Sequence, residues 1–279
     1  MAIFDAALQE MANASANTYG PIPFQTYLTT HGLRPSGTWQ YVSVDSLARL
    51  APELRSAGTM VFRLGSRSGA SGTHFALAKY INGWSDFFLI DKDLAALSDP
   101  EVFLPRVSTR RMFAFQLLPR LTETSLVNLA LGSGLLQHAL GLKDTDEQII
   151  PATGQSTFSF PIFPHQRAHE PWDHINGQVE IDALFIGQRN GKETLFLVEA
   201  KTGLPRESLA KHKLCYPLAA LRKTVPNYID IVPVYLKTWA ETDGRHFLVV
   251  ECSIETNAPV VISELTPSRT HHSVLHGFG

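Results

Sequence analysis

The stretch from Val179 to Lys201 constrains the fold of this chain most, because its pattern predicts a β-hairpin. Two apolar runs flank a polar segment that has Asn190-Gly191 at its centre. Asn-Gly suits a type I′ turn, in which both central residues have positive φ, and the flanking β-branched and aromatic residues favour strands. If the loop is symmetric about this dipeptide, Asp182 and Glu199 lie directly opposite each other.

Opposed carboxylates on one face of a sheet are unfavourable unless a positive charge compensates them, since their Cβ atoms are only about 5 Å apart. An isolated acidic residue on a hairpin is commonly solvated, but these strands are apolar on both faces, which implies burial. Mg²⁺ prefers hard oxygen ligands of this kind. Lys201 leaves the same face as Glu199 and can position or deprotonate a water molecule. The arrangement predicts a phosphodiesterase site.

The order Asp182, sixteen intervening residues, then Glu199-Ala200-Lys201 resembles the signature of the PD-(D/E)XK nuclease superfamily. Ile181 stands where that family often has a proline. The resemblance covers about half of the chain and implies a three-layer α/β/α restriction-endonuclease-like core with a mixed sheet. It also implies that Asp182 and Glu199 bind Mg²⁺ and that Lys201 acts on the attacking water.

A further acidic ligand is expected from a helix that precedes the hairpin. The stretch from Leu121 to Gly141 has apolar residues at helical spacing and Thr122 as a candidate N-cap. The resemblance makes Glu123 the candidate fourth catalytic residue and Glu147 a second choice. Alternatively, Glu123 only suits the positive end of the helix dipole.

The remaining patterns fit such a core after residue 120. The predicted order from Thr122 to Thr256 is helix, strand, hairpin, helix, strand, strand. The elements outside the first helix and the hairpin are a strand at Thr157 to Phe163, a helix at Arg206 to Lys223, and strands at Tyr228 to Leu236 and His246 to Ile254. We therefore predict an N-terminal α+β region at 1–120, with a possible role in DNA recognition, and a nuclease domain at 121–279. The histidine-rich tail is expected to be mobile or lightly docked.

Charge gives mixed support to a nucleic-acid partner. The net charge of −2 lacks the basic excess of many DNA-binding proteins, so a positive cleft on a near-neutral protein is expected. Phe103 to Arg120 is the most basic stretch, and Arg106, Arg110 and Arg111 are the candidate DNA contacts there. Arginines on the outer face of a packed element are an equal alternative. Lys211 is a fourth candidate, from the helix after the hairpin.

Other sequence features narrow the class of protein. The loop from Gly65 to Gly72 lacks the Gly-Lys-Ser/Thr ending of a phosphate-binding P-loop, and a surface turn is its commoner use. No apolar run is long enough to span a membrane, and the N-terminus lacks a signal-peptide pattern, so a cytoplasmic protein with no membrane partner is expected. Cys215 and Cys252 are expected to be core thiols.

The predicted function is therefore Mg²⁺-dependent hydrolysis of double-stranded DNA by an endonuclease, of the type II restriction kind. The resemblance implies a homodimer, because two sites then meet opposite strands. A structure-specific repair nuclease is one alternative. A catalytically inert nuclease-like fold that acts as a DNA-binding or assembly module is the other.

Overall fold

The computed structural model of the protein describes residues 2–37, 39–66, 72–143, 149–255 and 259–278, so Glu147 and most of the loop from Gly65 to Gly72 lie outside the described residues. The helices are α1 Asp5–Asn13, α2 Phe24–Thr30, α3 Trp39–Val42, α4 Pro52–Ser56, α5 Asp91–Ala95, α6 Phe113–Gln116, α7 Glu123–Gly132, α8 Leu135–Ala139 and α9 His212–Leu221. The strands are β1 Thr18–Pro23, β2 Thr59–Arg63, β3 His74–Lys79, β4 Phe88–Ile90, β5 Glu101–Val102, β6 Ala152–Phe163, β7 Trp172–Arg189, β8 Lys192–Thr202, β9 Ser208–Ala210, β10 Asp230–Glu241, β11 Gly244–Ser253, β12 Val260–Val261 and β13 Thr266–Leu275.

A mixed eight-strand sheet forms the centre of the protein, in the order β12-β6-β7-β8-β10-β11-β13-β5. Neighbours are antiparallel except at β8/β10, β6/β12 and β13/β5, which are parallel. The fold is therefore α/β with a mixed sheet. At one edge, β12 pairs only with Ile162 and Phe163, so the rest of β6 has its outer side open among the described residues.

The predicted hairpin is confirmed. Strands β7 and β8 are antiparallel, with Arg189 opposite Lys192 at the turn and Ala183 opposite Val198 at the far end of the ladder. Asn190 and Gly191 have φ values of +52° and +78°, as a type I′ turn requires. The register puts Asp182 and Glu199 next in line, beyond the last paired residues.

Helices cover both faces of this sheet. On one face, Phe196, Val198 and their neighbours on β7, β10 and β11 pack against α7 and α8. On the other face, Leu197, Tyr235 and Leu248 pack with α9 and with the N-terminal elements. The alternation follows from the pleat, which turns successive side chains of a strand to opposite faces.

The N-terminal region shares a core with the rest of the chain. Its three-strand sheet has the order β1-β3-β2, and Phe62 on β2 lies against the rings of Trp172 and His212, with centroids 5.6 and 6.0 Å apart. Strand β5 also comes from the first 120 residues and joins the large sheet. The division at residue 120 stays a prediction.

Two predicted helices and the tail differ most from the prediction. The helix expected from Leu121 to Gly141 breaks into α7 and α8 at Gly134, whose φ is +84°. The helix expected from Arg206 begins at His212, because Ser208–Ala210 instead pairs with β4 as β9. The prediction of a mobile or lightly docked tail is wrong, since Thr266–Leu275 pairs with β11 as a strand of the large sheet.

The structure also bears on the two cysteines and on membrane-spanning helices. Cys215 and Cys252 are free and buried, which confirms the prediction of core thiols. In the part of the chain that the structure describes, no helix is long and apolar enough to cross a membrane.

Candidate active site

Asp182 lies at a β-bulge in β7. Gly154 of β6 is opposite Ile181 and Ala152 is opposite Leu184, so β7 has one residue more than β6 between these pairs. Bulges redirect side chains and end regular pairing. Oδ2 of Asp182 accepts a hydrogen bond from the backbone N–H of Ala200 at 2.8 Å, which holds this carboxylate against β8 between Glu199 and Lys201.

Glu199 is the buried centre of the site. It is 2% exposed, and its Oε1 lies 3.0 Å from Nζ of Lys201 and 3.3 Å from Nζ of Lys213. Burial raises the pKa of Glu199 to about 7, although the two ammonium groups lower it and the charge of Asp182 adds to the rise. The carboxyl therefore exchanges its proton near neutral pH unless more positive charge is supplied.

Lys201 connects Glu199 with Glu123. Its Nζ lies 3.4 Å from Oε2 of Glu123, the first residue of α7, where the Thr122 side chain accepts a hydrogen bond from the Ser125 N–H as N-cap. Burial lowers the pKa of Lys201, but the charges of Glu199 and Glu123 outweigh it and hold the pKa above the ordinary value. Lys201 is thus a cation at any physiological pH.

The structure brings together Glu123, Asp182, Glu199 and Lys201, all of which the sequence singled out. It adds Lys213 from α9, whose ammonium also lies 3.9 Å from Glu180. Lys211, the lysine chosen from the sequence, is 3% exposed, and its Nζ donates to the carbonyl of Ser263 at 3.2 Å. It offers no exposed ammonium in this structure. We call Glu123, Asp182, Glu199, Lys201 and Lys213 the carboxylate–lysine cluster.

The cluster has the donor chemistry for a divalent cation of the hard type. Asp182 and Glu199 supply oxygen ligands, and the neutralising charge that Glu199 needs is what a cation would add. Among the described residues, two groups of three ligand atoms lie within 4.8 Å of one another. Neither group includes Asp182 or Glu199. Lys201 explains this spacing, since its ammonium lies within ion-pair distance of both Glu123 and Glu199.

The arginines predicted to contact DNA lie elsewhere on the surface. Arg106, Arg110 and Arg111 are exposed. Arg106 and Arg111 line a cleft of about 530 Å³ together with Phe115, Leu131 and other residues near the C-terminal end of α7. Because Glu123 begins the same helix, this cleft is at the opposite end of α7 from the cluster.

A second cleft adjoins the cluster directly and was not predicted. Its volume is about 260 Å³, and Lys213 and Glu180 line it together with Trp39, Arg49 and Arg63. Trp39 is 66% exposed. Trp39, Arg49 and Arg63 come from the N-terminal region, and no local spacing in the sequence relates them to the hairpin.

One family model matches this chain, over residues 105–257, and its description is "Domain of unknown function (DUF6997)". The matched range includes the whole carboxylate–lysine cluster and excludes Trp39, Arg49 and Arg63. No curated protein and no solved structure has a significant match to the chain.

Proposed function

Because the chain belongs to the DUF6997 family, whose description assigns no activity, we propose a function from its own residues: it is a Mg²⁺-dependent endonuclease that hydrolyses double-stranded DNA. The observation that carries the proposal is the meeting of Glu123, Asp182, Glu199 and Lys201. These residues come from a helix and two strands, and sequence patterns alone indicate each of them. Glu199 is also 2% exposed, and a carboxylate buried to this extent is normally paired with a positive charge or bound to a metal ion.

The architecture supports the proposal that this α/β fold is a restriction-endonuclease-like core. The hairpin strands lie in the middle of a mixed sheet, and α7 and α9 pack on its opposite faces. The acidic helix start and the hairpin end meet at the same edge of this core. That is the arrangement implied by the resemblance to PD-(D/E)XK nucleases.

The residues of the cluster divide the chemistry among themselves. Asp182 and Glu199 would hold the cation, and Glu123 would extend the site from α7. A bound Mg²⁺ would lower the pKa of a water molecule and offset the charge of the phosphodiester. Lys201 remains protonated, so its part is to orient the attacking water and to stabilise the negative charge that develops on the phosphate. Lys213 holds the Glu199 carboxylate from the α9 side.

The DNA backbone would approach through the cleft beside Lys213. Arg49 and Arg63 supply positive charge at this cleft, although Arg49 is paired with Asp45 at 3.5 Å. The exposed ring of Trp39 offers a surface on which an unpaired base can stack. Arg106, Arg110 and Arg111 would contact duplex DNA farther from the scissile bond, as backbone contacts that position the protein.

The test is cleavage of unmethylated plasmid and phage DNA by the full chain, with Mg²⁺ and with EDTA. We expect discrete fragments with Mg²⁺ and none with EDTA. Lys201→Ala should reduce the cleavage rate by about 100-fold or more, the range for loss of a group that stabilises charge in the transition state. Lys192→Ala is the matched control, because Lys192 is an exposed lysine at the other end of the same strand.

Each other outcome points to a named alternative. Cleavage of branched DNA but not of intact duplex would favour a structure-specific repair nuclease. Binding of DNA without Mg²⁺-dependent cleavage of any substrate would reject the proposal in favour of an inert DNA-binding module. Equal loss of activity in Lys192→Ala and Lys201→Ala would reject the assigned site.

A further inference from the structure

Two histidines and a glutamate converge at the β5 edge of the large sheet, and none of them belongs to the carboxylate–lysine cluster. Glu101 lies on β5, His138 on α8 and His271 on β13. One ligand atom of each lies within 4.8 Å of the others. We call these residues the His–His–Glu group.

Both imidazoles face the same carboxylate oxygen. Nε2 of His271 lies 2.8 Å from Oε1 of Glu101, and Nε2 of His138 lies 3.9 Å from that atom. The two rings have centroids 5.1 Å apart and are inclined by 73°, so they meet edge to face and do not stack. Ring nitrogens from two elements are therefore directed to one point.

The surroundings leave the group open to an ion and to water. The side chains of His138 and Glu101 are 49% and 56% exposed, whereas that of His271 is 18% exposed. Burial lowers the pKa of His271, with a smaller opposing effect of Glu101. Arg269 adds an unfavourable positive charge, but its guanidinium lies 3.7 Å from Glu251.

We propose that Glu101, His138 and His271 form a binding site for a divalent transition metal, with Zn²⁺ as the fitting ion. Two imidazoles and one carboxylate are a known zinc ligand set that leaves a position for water. Imidazole nitrogen also distinguishes this site from the carboxylate–lysine cluster, whose oxygen donors suit Mg²⁺.

The metal would fasten three elements to one another. Strand β5 pairs with β13 over only two residues, and α8 is one and a half turns long. An ion bound to Glu101, His138 and His271 would hold β5 and α8 in place against β13. Because binding to the folded state alone raises stability, the ion should stabilise the whole protein.

A second mixed group among the described residues is the competing site. Glu241, Asp243 and His246 also have ligand atoms within 4.8 Å of one another. It contains one imidazole, and Nδ1 of that ring lies 3.0 Å from Nε2 of His272. With two carboxylates it is a poorer match to zinc, so the test has to separate the two groups.

The experiment is titration of the full chain, freed of metal by a chelator, with Co²⁺ in place of Zn²⁺ and in excess Mg²⁺. We expect one equivalent of Co²⁺ to bind with the intense visible absorption of a low-coordinate site. His138→Ala and His271→Ala should each weaken Co²⁺ binding by about 10-fold or more. Loss of a residue that only hydrogen-bonds to a metal ligand already has an effect of that size. Zn²⁺ should raise the thermal midpoint of the wild type and not of these variants.

Two control variants complete the experiment. His169→Ala removes an exposed histidine outside both groups and should bind Co²⁺ as the wild type does. Asp243→Asn should also retain binding. Loss of binding in Asp243→Asn alone, or unchanged affinity in both His138→Ala and His271→Ala, would overturn the proposal. DNA cleavage has no part in this readout, so the two proposals stand or fall separately.

Discussion

At the scale of single residues, Glu199 has the least ordinary environment in the candidate site. Its folded-state pKa is about 7 against an ordinary value of 4.5, because burial favours the neutral carboxyl. The stability that this proton contributes is present below the ordinary value and is lost as pH rises through 7. Over that window the loss is about 3 kcal/mol.

The corresponding prediction concerns Glu199→Gln, whose amide stays neutral at every pH. In the presence of a chelator, the free energy of unfolding of the wild type relative to this variant should fall by about 3 kcal/mol between pH 4 and pH 8. Urea denaturation at several pH values measures it. Glu180→Gln removes an exposed carboxylate beside Lys213, which also contacts Glu199. This variant should show little of the pH dependence. A constant difference for Glu199→Gln would mean that the carboxyl stays ionised.

The candidate residues that the sequence placed close together are those related by local register. Asp182, Glu199 and Lys201 follow from one turn and the two-residue period of a strand. Lys211 was preferred to Lys213 because the pattern predicted a helix from Arg206; the helix begins six residues later, so Lys211 is its buried N-cap residue and Lys213 lies in its first turn. Glu101 and His271 are 170 positions apart, so no spacing rule could relate them before the sheet was known.

At the scale of elements, the turn of the hairpin sets the register on which the site depends. Gly191 has a φ of +78°, which a side chain makes unfavourable. We expect Gly191→Ala to reduce the free energy of unfolding by about 1–2 kcal/mol. Chemical denaturation measures this change, and Gly154→Ala is the control, since its added methyl meets no atom within 4 Å. Equal effects of the two substitutions would show that the turn conformation is not limiting.

The start of α7 gives a second prediction at this scale. Thr122 caps the helix whose first residue is Glu123. Thr122→Ala should cost about 1 kcal/mol in stability and should also lower cleavage, because Glu123 loses its fixed position. Thr122→Ser keeps the hydroxyl and should restore both. Loss of stability in Thr122→Ala with full cleavage would remove Glu123 from the proposed site.

Element type was predictable where the signal was local, as in the Asn-Gly turn and the Thr122 cap. Elements that depend on distant partners were not. Strand β9 forms because β4 lies beside it, and β13 forms because β11 offers an open edge. Polar, histidine-rich residues at the chain end gave no hint of this pairing.

At the scale of the whole molecule, one core extends through both parts of the chain. Buried residues of the N-terminal sheet, α9 and the large sheet belong to a single hydrophobic cluster. We therefore expect urea unfolding to be one transition, with coincident curves from circular dichroism and tryptophan fluorescence. Two separated transitions would instead favour independent domains divided near residue 120. In the same measurement, the isolated segment 121–279 should lack a cooperative transition.

Within the ranges that the structure describes, the outer side of β6 is open before Ile162, and this has a consequence for solvent exchange. Strands β8 and β10 are hydrogen-bonded on both sides, so their amide protons should exchange only when the protein unfolds globally. Along Ala152–Phe160, every second amide of β6 points away from β7, beyond the reach of β12. These protons should be replaced by deuterium within the earliest measured times, and a bound second chain that extends the sheet there would be detected as their protection.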